Sequence, residues 1–345
     1  MYGSLVQSWR SKVPKSNLRP ACYPSASYMV RECPLKHNPT ADRWPDPVHN
    51  LNPSSSHKDI RIGFPKLPLI GSQSYFELMR LWLEDCDRNH PGCRPISGID
   101  DRLPTRLIDV GGKENDGTVR LYVTRPEDVG HMQSFRYIAL SHQWGDPTLH
   151  NHFNATPENI DVLTEGISES LLPPMFQNAI RFTRELNVRY LWIDSICIIQ
   201  GPEGDFANEA QYMETVFHLA YCVIAASHSS GTSTSFLRPQ QDRTPRKFVK
   251  FGGSPSGSPV YVCEPFDDFE HDIVNGPLNK RGWVLQERAL AQRTIHIADT
   301  QTYWECGEGV RCETLTKMRK YVQPQLLNIE TQTFCKFSSL GRGTY

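Results

Sequence analysis

The sequence has 345 residues, of which 37 are Lys or Arg and 38 are Asp or Glu, so its formal net charge is -1. This even balance argues against a general nucleic-acid-binding protein, since such proteins usually carry a basic excess. Hydrophobic residues make up 38% of the chain, which is too many for a wholly disordered protein. The longest nearly apolar run, residues 190–199, is interrupted by Asp194 and is shorter than the roughly 20 residues of a spanning helix, so we expect no membrane span.

The cellular compartment follows from the first residues and from the cysteines. The opening sequence, MYGSLVQSWRSK, lacks the basic segment followed by an apolar segment that marks a secretory signal. The chain has 10 cysteines, far below the density of a disulfide-stapled secreted scaffold. We therefore expect a cytoplasmic protein with most of its thiols reduced.

The N-terminal third divides into a leader and a lead-in. Residues 1–60 contain eight prolines and few apolar runs, which predicts a mostly irregular leader. In SYFELMRLWLEDC, apolar residues recur at helical spacing, and Ser74 is a plausible N-cap. The runs LPTRLIDVG and VRLYVT flank several turn-forming residues and predict a hairpin. Helix and hairpin together form a lead-in over residues 75–130.

An α/β core follows the lead-in. Three runs, YIALS, YLWIDSICII and YCVIAAS, are candidate buried strands. Two helices separate them, one opened by Pro173 and Pro174 and the other over residues 208–219. Continuously apolar strands that alternate with helices are typical of a parallel sheet covered by helices on both faces. Additional α+β elements precede this core and follow it, and residues 316–345 form a tail.

The carboxyl ends of parallel strands are where such sheets bind ligands. After the first strand, Ser141, His142, Trp144 and Gly145 bring a hydroxyl, an imidazole, an indole and a turn to one place. These groups suit a ligand with a flat ring and polar edges, although a structural Trp corner explains them equally simply. Asp194 ends the second strand and could bind a hydroxyl or orient a base, or be an ordinary turn acid.

A third candidate is Glu209, in the helix after the second strand. It precedes Met213 by four residues and Val216 by seven, so it points along the apolar stripe of that helix. Carboxylates are rarely fully buried unless they are paired, which makes this position a candidate functional acid. The alternative is an acid in the first helical turn, stabilised there by the helix dipole.

The helix RGWVLQERAL carries a fourth group of polar residues. Trp283, Gln286 and Glu287 share one helical face by their i, i+3, i+4 spacing. Arg281 or Arg288 could pair with an acid of the core or bind a phosphate. The alternative is a packing helix with ordinary ion pairs.

One cluster has zinc-type ligands. Cys86, His90 and Cys93 form a C-x3-H-x2-C pattern, and Cys306 and Cys312 could complete a site. The spacing matches no common structural zinc pattern. We therefore favour buried or turn thiols here and predict no metal ligand.

The motif series resembles a known family. The strings YIALSHQWGD, YLWIDSICIIQ, DFANEAQYMETVFHLAYCVIAAS and RGWVLQERALAQRTIHIADTQTYWEC resemble the heterokaryon incompatibility (HET) domain of filamentous fungi. LWLEDCDRNHPGC and LPTRLIDVG resemble the lead-in that commonly precedes it. The resemblance places the domain at residues 135–315. Two positions depart from the family pattern, because His142 stands in the place of a Tyr and Phe206 in the place of a Trp.

The resemblance implies a function. HET domains act in programmed cell death when genetically unlike fungal cells fuse, and they are similar in layout to TIR domains, which are flavodoxin-like and often cleave NAD⁺. Glu209 matches the catalytic Glu of TIR enzymes best, with Ser141 and Trp144 on the ligand side. The resemblance thus implies NAD⁺ as a substrate and no bound cofactor. One carboxylate can stabilise an oxocarbenium-like transition state without a metal.

Three interpretations remain open. The first is a cell-death effector that responds to an incompatibility partner protein and possesses NAD⁺-cleaving activity. The second is a non-catalytic signalling module that acts by self-association. The third is a truncated inactive copy, because the family usually continues past its Trp-Glu-Cys motif while this sequence ends at Tyr345.

Overall fold

The described part of the chain covers the core and leaves gaps between its segments. The computed structural model describes residues 29–32, 67–93, 103–112, 116–131, 135–148, 152–238, 248–253, 259–263, 268–313 and 317–318. The predicted tail and nearly all of the predicted leader lie outside these residues. Within the described residues, no helix combines the length and the apolar content that crossing a membrane requires.

The described secondary structure alternates between strands and mostly short helices. The strands are β1 (Met29–Glu32), β2 (Arg106–Asp109), β3 (Thr118–Val123), β4 (Tyr137–Ser141), β5 (Ile167–Ser168), β6 (Tyr190–Trp192), β7 (Cys222–Ala225), β8 (Phe248–Gly253), β9 (Pro259–Cys263), β10 (Arg293–Ile297), β11 (Thr302–Cys306), β12 (Gly309–Cys312) and β13 (Lys317–Met318). The α-helices are α1 (Gln73–Asn89), α2 (Ile160–Glu165), α3 (Pro174–Glu185), α4 (Asp194–Cys197), α5 (Phe206–Glu209), α6 (Met213–Leu219) and α7 (Gly282–Leu290). Single 3₁₀ turns include Pro91–Cys93, Glu169–Leu171, Ala210–Tyr212 and Leu278–Lys280.

Most of the strands form one mixed sheet. Its order is β13-β12-β11-β10-β7-β4-β6-β2-β3-β5. The central strands β10, β7, β4 and β6 are parallel, and antiparallel strands extend the sheet on both sides. The sequence thus predicted the parallel centre and the added elements. A separate antiparallel sheet has the order β1-β9-β8, so one short strand of the predicted leader joins regular structure.

Helices cover both faces of the large sheet. Leu140, Ile224 and Trp304 point to one face by their register, and Trp82 of α1 lies 6.2 Å from Trp304, ring centroid to ring centroid. The opposite face carries Trp192, whose ring lies 5.6 Å from that of Phe217 in α6. Phe76 of α1 and Phe182 of α3 also meet edge to face, so α1 and α3 pack together. The two helical layers enclose the apolar strands and keep their side chains from water.

Three local predictions were wrong in detail. The apolar run from Tyr190 forms a strand of only three residues, because Asp194 accepts a hydrogen bond from the Ser195 N–H at 2.7 Å and opens the short helix α4. The cap of α1 is Ser72 rather than Ser74. Its Oγ accepts the Tyr75 N–H at 3.2 Å, which satisfies a free donor of the first turn.

The third correction concerns the helix predicted at residues 208–219. It consists of α5, the 3₁₀ turn Ala210–Tyr212 and α6. A 3₁₀ turn takes about three residues per turn instead of 3.6, so it rotates the side chains before it relative to those after it. Glu209 is only half-buried, and its side chain hydrogen-bonds Thr105.

Candidate functional site

The candidate site lies at the carboxyl ends of the parallel strands. Ser141 is the last residue of β4, Asp194 follows β6 within two residues, and Ser227 follows β7 within two residues. The connection after β4 leads to β6 on one side, and the connection after β7 leads to β10 on the other side, so the direction reverses between the neighbouring strands β4 and β7. A crevice between strands at such a reversal is the usual ligand position in an open α/β sheet.

Ser141 and Glu287 form the central contact. The Ser141 hydroxyl donates a hydrogen bond to Glu287 Oε2 at 2.5 Å, across 146 residues of sequence. Burial raises the pKa of Glu287 to about 7, and the negative charge of Asp194 acts in the same direction. The Ser141 hydrogen bond and the positive charge of Arg281 oppose this rise without cancelling it. Glu287 is therefore a carboxyl group poised to gain or lose a proton near neutral pH.

The indole of Trp144 is fixed by an acid. Its Nε1 donates to Asp194 Oδ2 at 2.8 Å, and the ring meets His152 edge to face at 5.6 Å. Trp144 is half-buried, so part of its ring remains accessible to a ligand. His142 is buried, with Nδ1 3.9 Å from Asp194 Oδ1, and burial lowers the pKa of His142. At neutral pH the site thus presents a neutral imidazole, an oriented indole and two acids.

A close contact between glycines explains the turn after Trp144. Gly145 has φ +96°, a conformation that residues with side chains rarely adopt. A Cβ at Gly145 would lie 3.1 Å from the Cα of Gly231, and one at Gly231 would lie 2.9 Å from the Cα of Gly145. These two glycines allow the loop after β4 to touch the loop after β7, which closes one side of the site.

Helix α7 reaches the site from the other side. Val284 packs with Leu278 and with Ala225 of β7, which sets the helix over the sheet. Just before the helix, Arg281 Nη1 donates to the carbonyl oxygen of His142 at 2.5 Å. A small cavity between the helix and the sheet is lined by Ser141, Ala225, Asn279, Arg288, Thr294 and His296. Glu287 and Arg281 therefore approach β4 from positions that the packing of α7 fixes.

A second acid, Glu305 of β11, lies beside this cavity. Arg288 binds it with two hydrogen bonds, Nε to Oε2 at 2.8 Å and Nη2 to Oε1 at 2.9 Å, and His296 Nε2 lies 2.9 Å from Oε2. Burial would raise the pKa of Glu305, but the hydrogen bonds from Arg288 and His296 outweigh it and lower the pKa to about 2. Glu305 is therefore a fully ionised acid that holds α7 to the sheet.

The structure brings most of the predicted site residues together. Around the β4 end lie Ser141, His142, Trp144, Gly145, Asp194, Arg281 and Glu287. Trp283 and Gln286 lie in α7, but their side chains are outside the described part of the structure.

Glu209 makes its described contact elsewhere. Its Oε1 accepts a hydrogen bond from Thr105 Oγ1 at 2.7 Å, just before β2. Because β2 is antiparallel to β6, Thr105 lies at the same edge of the sheet as the site, beyond β6. Its role as the catalytic acid remains a prediction from the family resemblance.

One ion pair that was not predicted from the sequence fixes the loop between α4 and α5. The buried Arg106 pairs through Nη2 with the Asp205 carboxylate, and its Nε donates to the Cys197 carbonyl at 2.8 Å. Asp205 also accepts the Ile199 N–H at 2.8 Å. The signal was an arginine at the start of the predicted strand, directly before Leu107 and Ile108, since a buried charge requires a partner.

The segment that contains this site matches a known protein family. Residues 137–287 match the family described as Heterokaryon incompatibility protein (HET). The match supports a heterokaryon incompatibility domain in this chain. Its first and last residues are Tyr137 of β4 and Glu287, so both partners of the Ser141–Glu287 contact lie within the match. No curated protein and no solved structure matches the sequence.

Proposed function

We propose that this chain is an incompatibility-type cell-death effector and that its site at the end of β4 binds and cleaves NAD⁺. The observation that carries the proposal is the Glu287 carboxyl group. It is held by the Ser141 hydroxyl, and the described residues give it no ion-pair partner. An acid in this state attracts a cationic ligand, and NAD⁺ carries its positive charge on the nicotinamide ring.

The strand order supports a TIR-like interpretation. In chain order the parallel strands are β4, β6, β7 and β10, and in space they follow the order 2-1-3-4. Flavodoxin-like sheets have the order 2-1-3-4-5 and bind their ligand where the connections reverse. That position corresponds here to the crevice between β4 and β7, which contains Ser141 and the Gly145–Gly231 contact.

The proposed reaction requires one carboxylate and water. The bond between C1′ of the ribose and the nicotinamide nitrogen breaks, and its electron pair neutralises the ring, which leaves as nicotinamide. The ribose carbon becomes an oxocarbenium-like centre, which a nearby carboxylate stabilises electrostatically. Water adds to this carbon and releases a proton, giving ADP-ribose. Because the pKa of Glu287 is about 7, approach of the cationic ring favours the ionised form that the step needs. The accessible part of Trp144 offers a surface for ring stacking.

Two acids can be tested for this role. The resemblance favours Glu209, and the geometry favours Glu287, whose contacts lie at the reversal of the sheet. The test is NAD⁺ loss with the purified full chain as wild type, Glu287→Gln and Glu209→Gln. Glu214→Gln, on an exposed position of α6, is the matched control.

We expect NAD⁺ loss with the wild type and the Glu214→Gln control, and none with Glu287→Gln. If Glu209→Gln abolishes NAD⁺ loss and Glu287→Gln does not, the catalytic carboxylate is Glu209. No NAD⁺ loss from folded wild-type protein, together with full toxicity of Glu287→Gln and Glu209→Gln in cells, would overturn the enzymatic proposal.

A specific observation favours self-association as a second candidate function. The edge strand β5 is flanked by exposed apolar side chains, Val162 at 56% exposure and Leu171 at 70%. An edge strand beside apolar residues is a natural site for pairing between copies. Light scattering on the wild type and on Leu171→Asp tests this. A wild-type assembly that the substitution disperses supports the signalling module, and a wild-type monomer at high concentration contradicts it.

A further inference from the structure

Four potential metal ligands converge where α1 meets β11. Cys86 lies in the last turn of α1, His90 directly follows the helix, Cys93 ends a 3₁₀ turn, and Cys306 ends β11. One ligand atom from each lies within 4.8 Å of every other. All four residues lie outside the segment that matches the HET family.

The spacing fits a tetrahedral ion. With Zn–S bonds of about 2.3 Å and Zn–N bonds of about 2.0–2.1 Å, a tetrahedral site separates sulfur and nitrogen by about 3.6 Å. Cys306 Sγ and His90 Nδ1 lie 3.5 Å apart. Gly307 contributes to this closeness, because a Cβ at that position would lie 3.2 Å from Cys93 Sγ. Cys312, which the sequence also offered as a ligand, is not part of the group.

A buried arginine beside the cluster supplies independent support. Arg293 is the cross-strand partner of Cys306, and its side chain is 1% exposed. Its Nη2 pairs with Asp87 at 2.7 Å, while Nε and Nη1 have no hydrogen-bond partner among the described residues. A zinc ion with three thiolates and one neutral imidazole carries one net negative charge. Such a centre would place negative charge beside a buried guanidinium of which the Asp87 ion pair uses only one nitrogen.

We propose that Cys86, His90, Cys93 and Cys306 bind a structural zinc ion. Three thiolates and one imidazole form a closed four-coordinate set, which leaves no position for a substrate. The ion would fasten the end of α1 to β11, beside the contacts of Tyr75 with Thr302 and of Trp82 with Trp304 along the same helix. The N-terminal lead-in and the last strands of the sheet would thus both be bound to one metal ion through coordinate bonds.

The test is metal content of the full chain after expression in zinc-supplemented medium and purification without chelator. We expect one zinc ion per chain in the wild type. Cys306→Ser and His90→Ala should each lower the affinity for zinc. The loss should be far larger than the about 10–100-fold that follows when a residue contacting a metal ligand is removed. Cys312→Ala is the matched control and should keep its zinc. Because His90 is half-buried, its variant should remain folded, which circular dichroism will check.

Cobalt substitution provides a second measurement. Replacing zinc by Co²⁺ should give thiolate-to-cobalt charge-transfer absorption and the intense visible bands of a tetrahedral site, and Cys306→Ser should weaken the former. The proposal is overturned by folded wild-type protein without zinc, by iron in its place, or by equal zinc loss from Cys312→Ala and Cys306→Ser.

Discussion

Two acids near helix α7 show how differently the same side chain can be used. Glu305 receives two hydrogen bonds from Arg288 and lies against His296, and its pKa falls to about 2. Glu287, the residue next to Arg288, has a hydroxyl as its partner, and its pKa rises to about 7. The helix turns by about 100° between Glu287 and Arg288, so one points to β4 and the other to β11.

This difference separates a structural acid from a candidate functional one. A buried carboxylate that is fully compensated contributes to stability only while its partners remain. A shielded carboxyl group without a cation partner reduces stability when it ionises, so its presence favours a role in binding or chemistry. Four substitutions test the distinction.

We expect Arg288→Met to cause the largest loss of stability. This substitution leaves His296 as the remaining described side-chain partner of Glu305. The free energy of unfolding of the protein should therefore fall by about 3 kcal/mol near pH 7. The folded pKa of Glu305 is depressed from 4.5, so the stability it contributes is present above that value and is lost as the pH falls through about 2. Urea unfolding should therefore show a deficit that shrinks in acid. Arg288→Lys keeps the charge but not the double hydrogen bond and should lose less. An equal deficit at all pH values would contradict this account.

Glu287→Gln should act in the opposite direction. The folded pKa of Glu287 is raised from 4.5 to about 7, so the stability it contributes is present below 4.5 and is lost as the pH rises through 7. Glutamine retains an acceptor for Ser141 and cannot ionise. The free energy of unfolding of the variant, measured in urea, should equal that of the wild type at about pH 4. It should exceed that of the wild type by about 2–3 kcal/mol at about pH 8. A variant less stable than the wild type at both values would show that Glu287 is a structural acid.

Trp144→Phe should have an intermediate effect. Asp194 is a third acid, half-exposed and held by neutral donors. Removing the indole N–H should cost about 1–2 kcal/mol in thermal or urea unfolding, because a hydrogen bond to a charged group is lost. The phenyl ring keeps an apolar surface for a ligand. A loss as large as that of Arg288→Met would mean that Trp144 is a core residue rather than a ligand-facing one.

The smallest change is expected from Glu209→Gln. Glu209 is half-buried, and Gln retains an acceptor for the Thr105 hydroxyl, so the free energy of unfolding should change by less than about 1 kcal/mol. Urea unfolding beside the exposed Glu214→Gln control measures it. A loss of several kcal/mol would place Glu209 in the core, as the uninterrupted helix predicted.

The sequence predicted the core of the fold because its signals are local. Apolar runs marked β4 and β7, Pro173 and Pro174 marked the start of α3, and the rule for strand ends selected the loops that carry Trp144 and Asp194.

The remainder depends on contacts that no spacing reveals. Ser141 meets Glu287 over 146 residues of sequence, and Cys306 meets His90 over 216. The 3₁₀ turn Ala210–Tyr212, which divides the helix predicted at residues 208–219, was not predicted, because a single such turn leaves the apolar pattern of the sequence almost unchanged.

Among the described residues Glu287 has a hydroxyl and no ion-pair partner, and we propose that its carboxyl group is available to a cationic ligand. The decisive measurement is an infrared titration of the Glu287 carboxyl band, isolated as the difference between the wild type and Glu287→Gln. We expect a pKa of about 7 for Glu287 in the free protein, and a lower pKa when NAD⁺ is added. A carboxyl group that titrates near its ordinary value of 4.5 and does not respond to NAD⁺ would contradict it.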